Sequence, residues 1–585
     1  MYLLFVIKVI LSLSIFYSEL IAADSVDAYK ASPESSVKSE GGKKYFKANK
    51  YIAVTADARA TSSAVRILES GGTAIDAAIS AQMVLNLVEP QSSGIGGGAF
   101  IVYYDSNSQN IITWDGREKA PQNYSEDIFI NKNGKRKGFL EAVSGGLAVG
   151  APPLVSLLEK AHQEYGRLPW DVLFEDAINY SREGFVVGER LEKLIKKAPH
   201  LKNDIISSYY FGLEEGGLKA GSLKINLEFV ETLKKIRNQG SRAVISGDIM
   251  ESILKSVKNH IPNPGVLEEI DFKNINPLIS SPLCKNYRKW KICGMGPPSS
   301  GAITVLQILG ILNNFDFTNL NESDVWHLFI EASKLAYVDR NYYIADTDFV
   351  NVPVKEMLSF SYMSKRAKLI NKNKILQELM PGKFENFEVT NRGMDTYSEK
   401  PSTTHISIVD AFGNAISMTS SIEFMFGSGL MASGFLLNNQ MTDFSFYPKD
   451  QKGNLIANRP QSGKKPRSSM SPTIVFDSEG KMRIVLGSPG GSRIICYVAA
   501  SLVRMIDLGV KPKLVTLEPN ICNRGSKTTI EEGKIGDLIA ESLQLKGHKL
   551  SRKSMTSGLH IIYKDHLGQL YGIADQRREG AAYGL

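Results

Sequence analysis

The sequence predicts an α+β fold in which helices cover antiparallel sheet. Three features point that way: two small-residue-rich helical stretches early in the chain, a long amphipathic middle, and short alternating strands from Thr403 onward. At 585 residues, with 43% hydrophobic and 22% charged side chains, the chain can bury a large core as one large unit or two intertwined ones.

The elements follow in order. MYLLFVIKVILSLSIFYSELIAADS is apolar through about Tyr17 apart from Lys8 and ends in small residues at Ala22 and Ala23, the pattern of a secretory signal, with an uncleaved anchor as the alternative. A Lys/Ser/Gly-rich linker follows. DARATSSAVRILESGG reads as a helix stopped by Gly71 and Gly72, and TAIDAAISAQMVLNLVEP as a second helix ending at Pro90. In QSSGIGGGAFIVYYD, Gly94, Gly96 and Ala99 match a dinucleotide-binding spacing, but the turn follows a helix and opens a strand, the reverse of that motif. These glycines read instead as backbone that approaches a neighbour closely, or as a tight turn.

From about Leu147 to Asn391 the pattern is mostly helical, including VWHLFIEASKLAYVDRNYY after a Ser323 cap; GPPSSGAI is a loop leading into another apolar helix. HISIV and AISMT flank a turn at Gly413 and Asn414 and form a hairpin; TIVF, MRIVLGS, GLHIIY and LYGIAD are further strands.

Composition excludes several classes. The net charge of +8 comes from dispersed lysines with no arginine-rich or aromatic-interleaved stripe, so nucleic acid is not a partner. Only Cys284, Cys293, Cys496 and Cys522 are present, so this is no disulfide scaffold; Cys284 and Cys293 either pair across a short turn or stay as buried thiols. Neither a metal-ligand spacing nor a cofactor motif is found, and no second apolar run could span a bilayer.

Chemistry concentrates around KPSTTHISIVD. A threonine hydroxyl needs a base, and the amine of the same residue supplies one when that residue heads a chain. An α-amino group titrates near pH 8, so Thr403 would need no separate histidine. The GSPGGS loop could aim the N–H groups of Gly490 and Gly491 at an oxyanion. Ser468 and Ser469 offer hydroxyl donors, Arg117 can grip a carboxylate with two parallel bonds, and Asp443 can pair with an ammonium.

The stretches VEPQSSGIGGGAF, WDGREKAP, GPPSSG, EASKLAYVDR, STTHISIVD, LLNNQMTDFS, RSSMSPTIVF and GSPGGSRI resemble, in order and wording, the γ-glutamyltransferase (glutathione hydrolase) family of N-terminal nucleophile hydrolases. The resemblance implies a four-layer αββα sandwich. It also implies a precursor that cuts itself between Ser402 and Thr403, giving a signal over 1–23, a linker over 24–45, a large subunit over 46–402 and a small subunit over 403–585. The implied activity removes the γ-glutamyl group of glutathione and other γ-glutamyl compounds through an acyl-Thr403 intermediate. The group then passes to water or to an amino acid or dipeptide acceptor, without a cofactor or metal.

By the same matching, Gly490 and Gly491 form the oxyanion hole, Arg117, Ser468 and Ser469 hold the α-carboxylate, and Asp443 and Gln440 hold the α-amino group. Ser421 stands where the family often has threonine, and Glu423 where asparagine is frequent. Thr442 and Arg467 also depart from the pattern and are expected to face solvent; the segment between Asp443 and Ser468 occupies the position of an active-site lid. The rival readings are a related acylase acting on another amide, and a catalytically silent surface protein. The leader implies export, to the periplasm of a Gram-negative host and otherwise to the medium or cell surface.

Overall fold

A computed structural model describes residues 42–585 except 386, 388, 390, 391, 397–399, 401 and 526. The expected signal and most of the expected linker lie outside the described residues. Two seven-stranded sheets stack face to face.

One sheet contains strands β2 (Ile52–Thr55), β3 (Gly98–Asp105), β4 (Asn110–Gly116), β5 (Leu278–Ser280), β8 (Thr404–Val409), β9 (Ala415–Ser421) and β14 (Ala581–Gly584), in the order β14-β2-β8-β9-β3-β4-β5. The other contains β1 (Tyr45–Ala48), β6 (Leu283–Tyr287), β7 (Trp290–Gly294), β10 (Thr473–Phe476), β11 (Met482–Gly487), β12 (His560–Lys564) and β13 (Leu570–Ala574), in the order β1-β13-β12-β11-β10-β7-β6. All neighbouring pairs in both are antiparallel. Strand β1 starts at Tyr45, the last residue of the segment read as linker.

Three apolar layers hold the sandwich together. Between the sheets lie Ile52, Val54, Val102, Ile474, Val485 and Ile562. Helices α1 (Ala58–Glu69) and α2 (Ala74–Val88) cover the outer face of the first sheet, and every residue of α2 is buried. That explains its alanine content: small side chains let the helix lie close on the sheet while packed on its other sides. Helices α3 (Gly301–Leu312), α4 (Glu322–Tyr343) and α5 (Ile494–Ile506) cover the second sheet. The result is the αββα arrangement.

Most expected elements stand where the pattern put them, and the exceptions have physical reasons. The middle third is not all helix, because β6 and β7 lie there and complete one sheet edge. Helix α4 is capped by Asn321, whose side chain accepts from Asp324 N, and not by Ser323. Among the described residues all four cysteines pair, Cys284 with Cys293 across neighbouring strands and Cys496 with Cys522. The glycines before β3 do mark close approach: a Cβ at Gly96 would collide with the Leu436 carbonyl, and one at Gly97 with the Ser421 carbonyl. No helix among the described residues is long and apolar enough to cross a membrane.

Candidate active site

Thr403 precedes the first residue of β8, so the strand ladder fixes it at a sheet end. Thr404 is opposite Ser420 on β9, and Ser421 is opposite Gly98 on β3. That register sets the Thr403 Oγ1 3.3 Å from Ser421 Oγ, with Thr403 3% exposed. Thr403 has φ of 154°, a region that β-branched residues rarely occupy. Such backbone typically stores about 1–3 kcal/mol. Ser402, on the other side of the same peptide bond, is buried and anchored by donation from its Oγ to Gln91 O at 2.7 Å.

A cleft in front of Thr403 is lined by Arg117, Lys400, Ser402, Ser421, Glu423, Gln440, Asp443, Ser468, Ser469 and Gly491. Sequence matching therefore converges in space, and Lys400, Met470 and Ile494 complete the wall. The free volume is about 20 Å³, room for about one water, with Lys400 and Ser402 occupying one side. Gly490 comes just before Gly491 at the turn into α5, with φ of 138° and 57° for the pair. A Cβ at Gly490 would press on the Tyr497 ring at 2.7 Å, so only glycine fits there.

Charge in the cleft is organised around one ion pair. Arg117 Nη2 donates to Asp443 Oδ2 at 2.6 Å and to Arg467 O at 3.1 Å, and its Nε donates to Pro466 O at 3.1 Å. Gln440 Nε2 donates to the same Asp443 oxygen at 2.7 Å. Ser469 Oγ accepts from Arg340 Nη2 at 2.7 Å, and Ser468 Oγ accepts from Met470 N at 3.2 Å. Glu423 is buried; burial first, then the neighbouring Asp443 charge, pushes its carboxyl well above the usual range against the pull of Asn439, Thr442 and Arg117.

Two expectations fail here. Arg467 and Thr442 do not face solvent: both are 0% exposed. Arg467 forms a fully buried pair with Asp395 at 2.8 Å, and Thr442 Oγ1 accepts from Asn439 at 2.8 Å. A lone arginine before a serine pair gives no hint of its partner across the fold. The segment between Asp443 and Ser468 exposes the turn at Lys452 and Gly453, while its ends are buried beside Arg117.

Several residues near the cleft have no counterpart in the sequence reading. Thr404 Oγ1 donates to Glu89 Oε2 at 2.8 Å, Glu89 pairs with Arg190 at 2.6 Å, and Arg578 Nη1 donates to Thr403 O at 3.4 Å. Glu118 lies inside the WDGREKAP stretch, next to Arg117. Both its oxygens are buried without a hydrogen-bond partner among the described residues, and burial raises its pKa to about 8. His405 is a structural residue: it is fully buried, bonded to Thr419 and Ser407 hydroxyls, and kept neutral by burial.

Among the described residues, possible metal ligands are gathered away from the cleft, where the ligand atoms of His327, Glu331 and His548 lie within 4.8 Å of one another. Most of their ligand atoms are engaged: Glu331 accepts from Lys334 at 2.5 Å and Leu376 N at 2.6 Å, and the two imidazoles bond each other at 2.7 Å, while His548 Nδ1 has no hydrogen-bond partner among the described residues.

The gamma-glutamyltranspeptidase family profile matches residues 60–585. A glutathione hydrolase proenzyme of Bacillus subtilis is 34% identical over 549 residues, covering 91% of each chain. A crystal structure of Helicobacter pylori gamma-glutamyltranspeptidase is 31% identical with a TM-score of 0.54, covering 57% of this chain and 96% of that one. A cephalosporin acylase from Bacillus halodurans superposes with a TM-score of 0.81 over 95% and 99% of the two chains; at 23% identity it shows the shared fold alone.

Proposed function

Because the chain belongs to the gamma-glutamyltranspeptidase family, we propose that it cuts itself between Ser402 and Thr403 and that Thr403 is the nucleophile of the mature enzyme. The enzyme releases the γ-glutamyl group of glutathione and related compounds and passes it to water or to the amine of an amino acid or dipeptide. The observation that carries this is the placing of a strained, buried Thr403 in one cleft with both Arg117 and Asp443.

In the precursor, the Thr403 hydroxyl attacks the Ser402 carbonyl. The acyl group moves from nitrogen to oxygen, which breaks the Ser402–Thr403 amide, frees the Thr403 α-amine and relieves the backbone strain; water then cleaves the ester, releasing the Ser402 carboxylate and restoring the Thr403 hydroxyl. That amine titrates near pH 8 and takes the hydroxyl proton in each later attack. Arg117, Ser468 and Ser469 hold the donor's α-carboxylate; Asp443, Gln440 and Glu423 face its ammonium end. The N–H groups of Gly490 and Gly491 stabilise the oxyanion, and Ser421 orients the Thr403 hydroxyl. The leaving amine carries the proton away, and water or an acceptor amine reverses the sequence.

An acylase for other amides is the weaker reading, since opposite charges side by side in the cleft suit an amino-acid head. The leader and the two disulfides support export, to the periplasm of a Gram-negative host and otherwise to the medium or cell surface. N-terminal sequencing of the smaller fragment tests the assignment: it should begin TTHISIV. Active protein with an intact Ser402–Thr403 bond would end it.

A further inference from the structure

Arg117 lines a second and larger cavity besides the Thr403 cleft. Its volume is about 430 Å³, within the range of about 300–1,000 Å³ usual for small-molecule sites. The chain itself laces the wall together: Gly463 N donates to Ala120 O at 3.0 Å and Ala120 N to Lys464 O at 2.8 Å, Ser462 Oγ donates to Gln122 O at 2.6 Å, and Gln122 N donates to Asp271 Oδ1 at 2.8 Å. A wall fixed in this way loses little further freedom when something binds to it.

Six charged side chains line this cavity, and four of them have ion-pair partners. Arg117 is committed to Asp443 at 2.6 Å, Lys465 to Asp115 at 2.5 Å, and Lys273 to Glu269 at 2.8 Å. Two charges are left over. Lys119, half-buried, has neither a hydrogen bond nor an ion pair among the described residues. Asp271 accepts only from backbone, Gln122 N and Glu268 N at 2.8 Å each, and Lys258 acts on it from beyond ion-pair distance. Each oxygen of Asp271 can still accept a second bond. The two charges face one cavity without closing on each other, and they sum to zero. The lining also has a buried apolar part made of Ala120, Ala151, Pro153 and Pro277.

We propose that this cavity binds a small zwitterion, a free amino acid or short peptide, with its carboxylate on the Lys119 ammonium and its own ammonium on the Asp271 carboxylate. A simple anion would meet Asp271 and a simple cation would meet Lys119, and such like-charge contacts are costly. A molecule carrying both charges satisfies both walls, and the apolar lining takes the chain or side chain between them. The site uses neither Thr403 nor Asp443, so it stands or falls apart from the γ-glutamyl reading of the cleft.

Isothermal titration of the purified full-length protein with glycine and glycylglycine, with no γ-glutamyl donor present, tests this at neutral pH. The background is Asp443→Asn, which removes the ammonium partner of the Thr403 cleft, so that surviving heat reports the cavity alone. Saturable binding of at least one of the two zwitterions should persist there. N-acetylglycylglycine and glycylglycinamide, each missing one charge, should bind at least about tenfold more weakly. Adding Lys119→Ala should abolish the binding at unchanged Tm, because that side chain gives up no partner. Asp271→Asn should weaken it by at least about tenfold. Three results would overturn the proposal: no saturable heat in Asp443→Asn with either zwitterion, binding unchanged by Lys119→Ala, or equal affinity for the N-acetylated peptide.

Discussion

Replacing Thr403 by alanine separates chemistry from folding. The substitution removes one hydroxyl, which donates to Ser421 Oγ at 3.3 Å, and one buried methyl. A hydrogen bond of this kind is worth about 0.5–1.5 kcal/mol and a buried methyl about 0.8 kcal/mol. The expected loss of stability is therefore about 1–2 kcal/mol, a Tm shift of at most a few degrees in a chain this long. Processing and turnover, by contrast, lose the proposed nucleophile and should fall by at least about four orders of magnitude. Differential scanning calorimetry, a denaturing gel and p-nitroaniline release measure the three quantities on one preparation. Thr403→Ser, which keeps the hydroxyl, should still process. A Thr403→Ala protein with near-native Tm that nevertheless runs as two fragments would refute the assignment of the nucleophile, since misfolding could not be blamed for any result.

Arg117→Lys should raise KM for γ-glutamyl donors by about tenfold to a hundredfold, the equivalent of about 1–3 kcal/mol for charge-assisted bonds; a lysine cannot reach Asp443, Arg467 O and Pro466 O together, and an unchanged KM would move Arg117 out of the donor site. Exchanging Cys496 and Cys522 together for serine should cost about 3 kcal/mol from the 26-residue span that the bond closes, read as a lowered urea midpoint. Glu118→Gln should flatten the alkaline side of the stability profile. With its folded pKa raised to about 8, Glu118 favours the folded state fully below its ordinary value of 4.5, and that contribution is lost as pH rises through 8. The loss amounts to a few kcal/mol at most, on the order of 1.4 kcal/mol per unit, and urea midpoints at about pH 5 and about pH 9 should converge in the variant.

Local pattern carried as far as local physics reaches. Helix α2 was readable because Thr73 and Asp76 close a capping box and Pro90 ends the run. The hairpin of β8 and β9 was readable because alternation and the Gly413 turn agree. Strands β6 and β7 were not, because each is five residues long and mixed in burial, so their strand character comes from joining β10 at the sheet edge. The cleft was legible as motifs and not as contacts. Arg117 and Asp443 stand 326 positions apart, and nothing in either stretch announces their 2.6 Å pairing. Glu118 sits within the WDGREKAP stretch, where nothing but burial makes its carboxylate unusual. Arg467 misled for the same reason: its partner Asp395 is 72 residues away.

The strand order explains how a chain could be cut at its active site and still keep that site. Under the proposed cleavage, β8 and β9 belong to the C-terminal fragment but are flanked in their sheet by β2 and β3 of the N-terminal one. The second sheet repeats the arrangement, with β10 to β13 enclosed between β1 on one side and β7 on the other. Neither fragment therefore owns a complete sheet, and separating them would expose five ladders, three in the first sheet and two in the second, together with all three apolar layers. Cutting one peptide bond just ahead of β8 breaks none of those ladder bonds, since pairing starts at Thr404. The residue freed by the cut stays clamped at a sheet end, while Lys400 and Ser402, which line the cleft, are no longer joined to it. Placing the scissile bond at the first rung of a central strand thus lets one event generate the base and permit the space for substrate to open, at no cost to the sheet that aims the nucleophile.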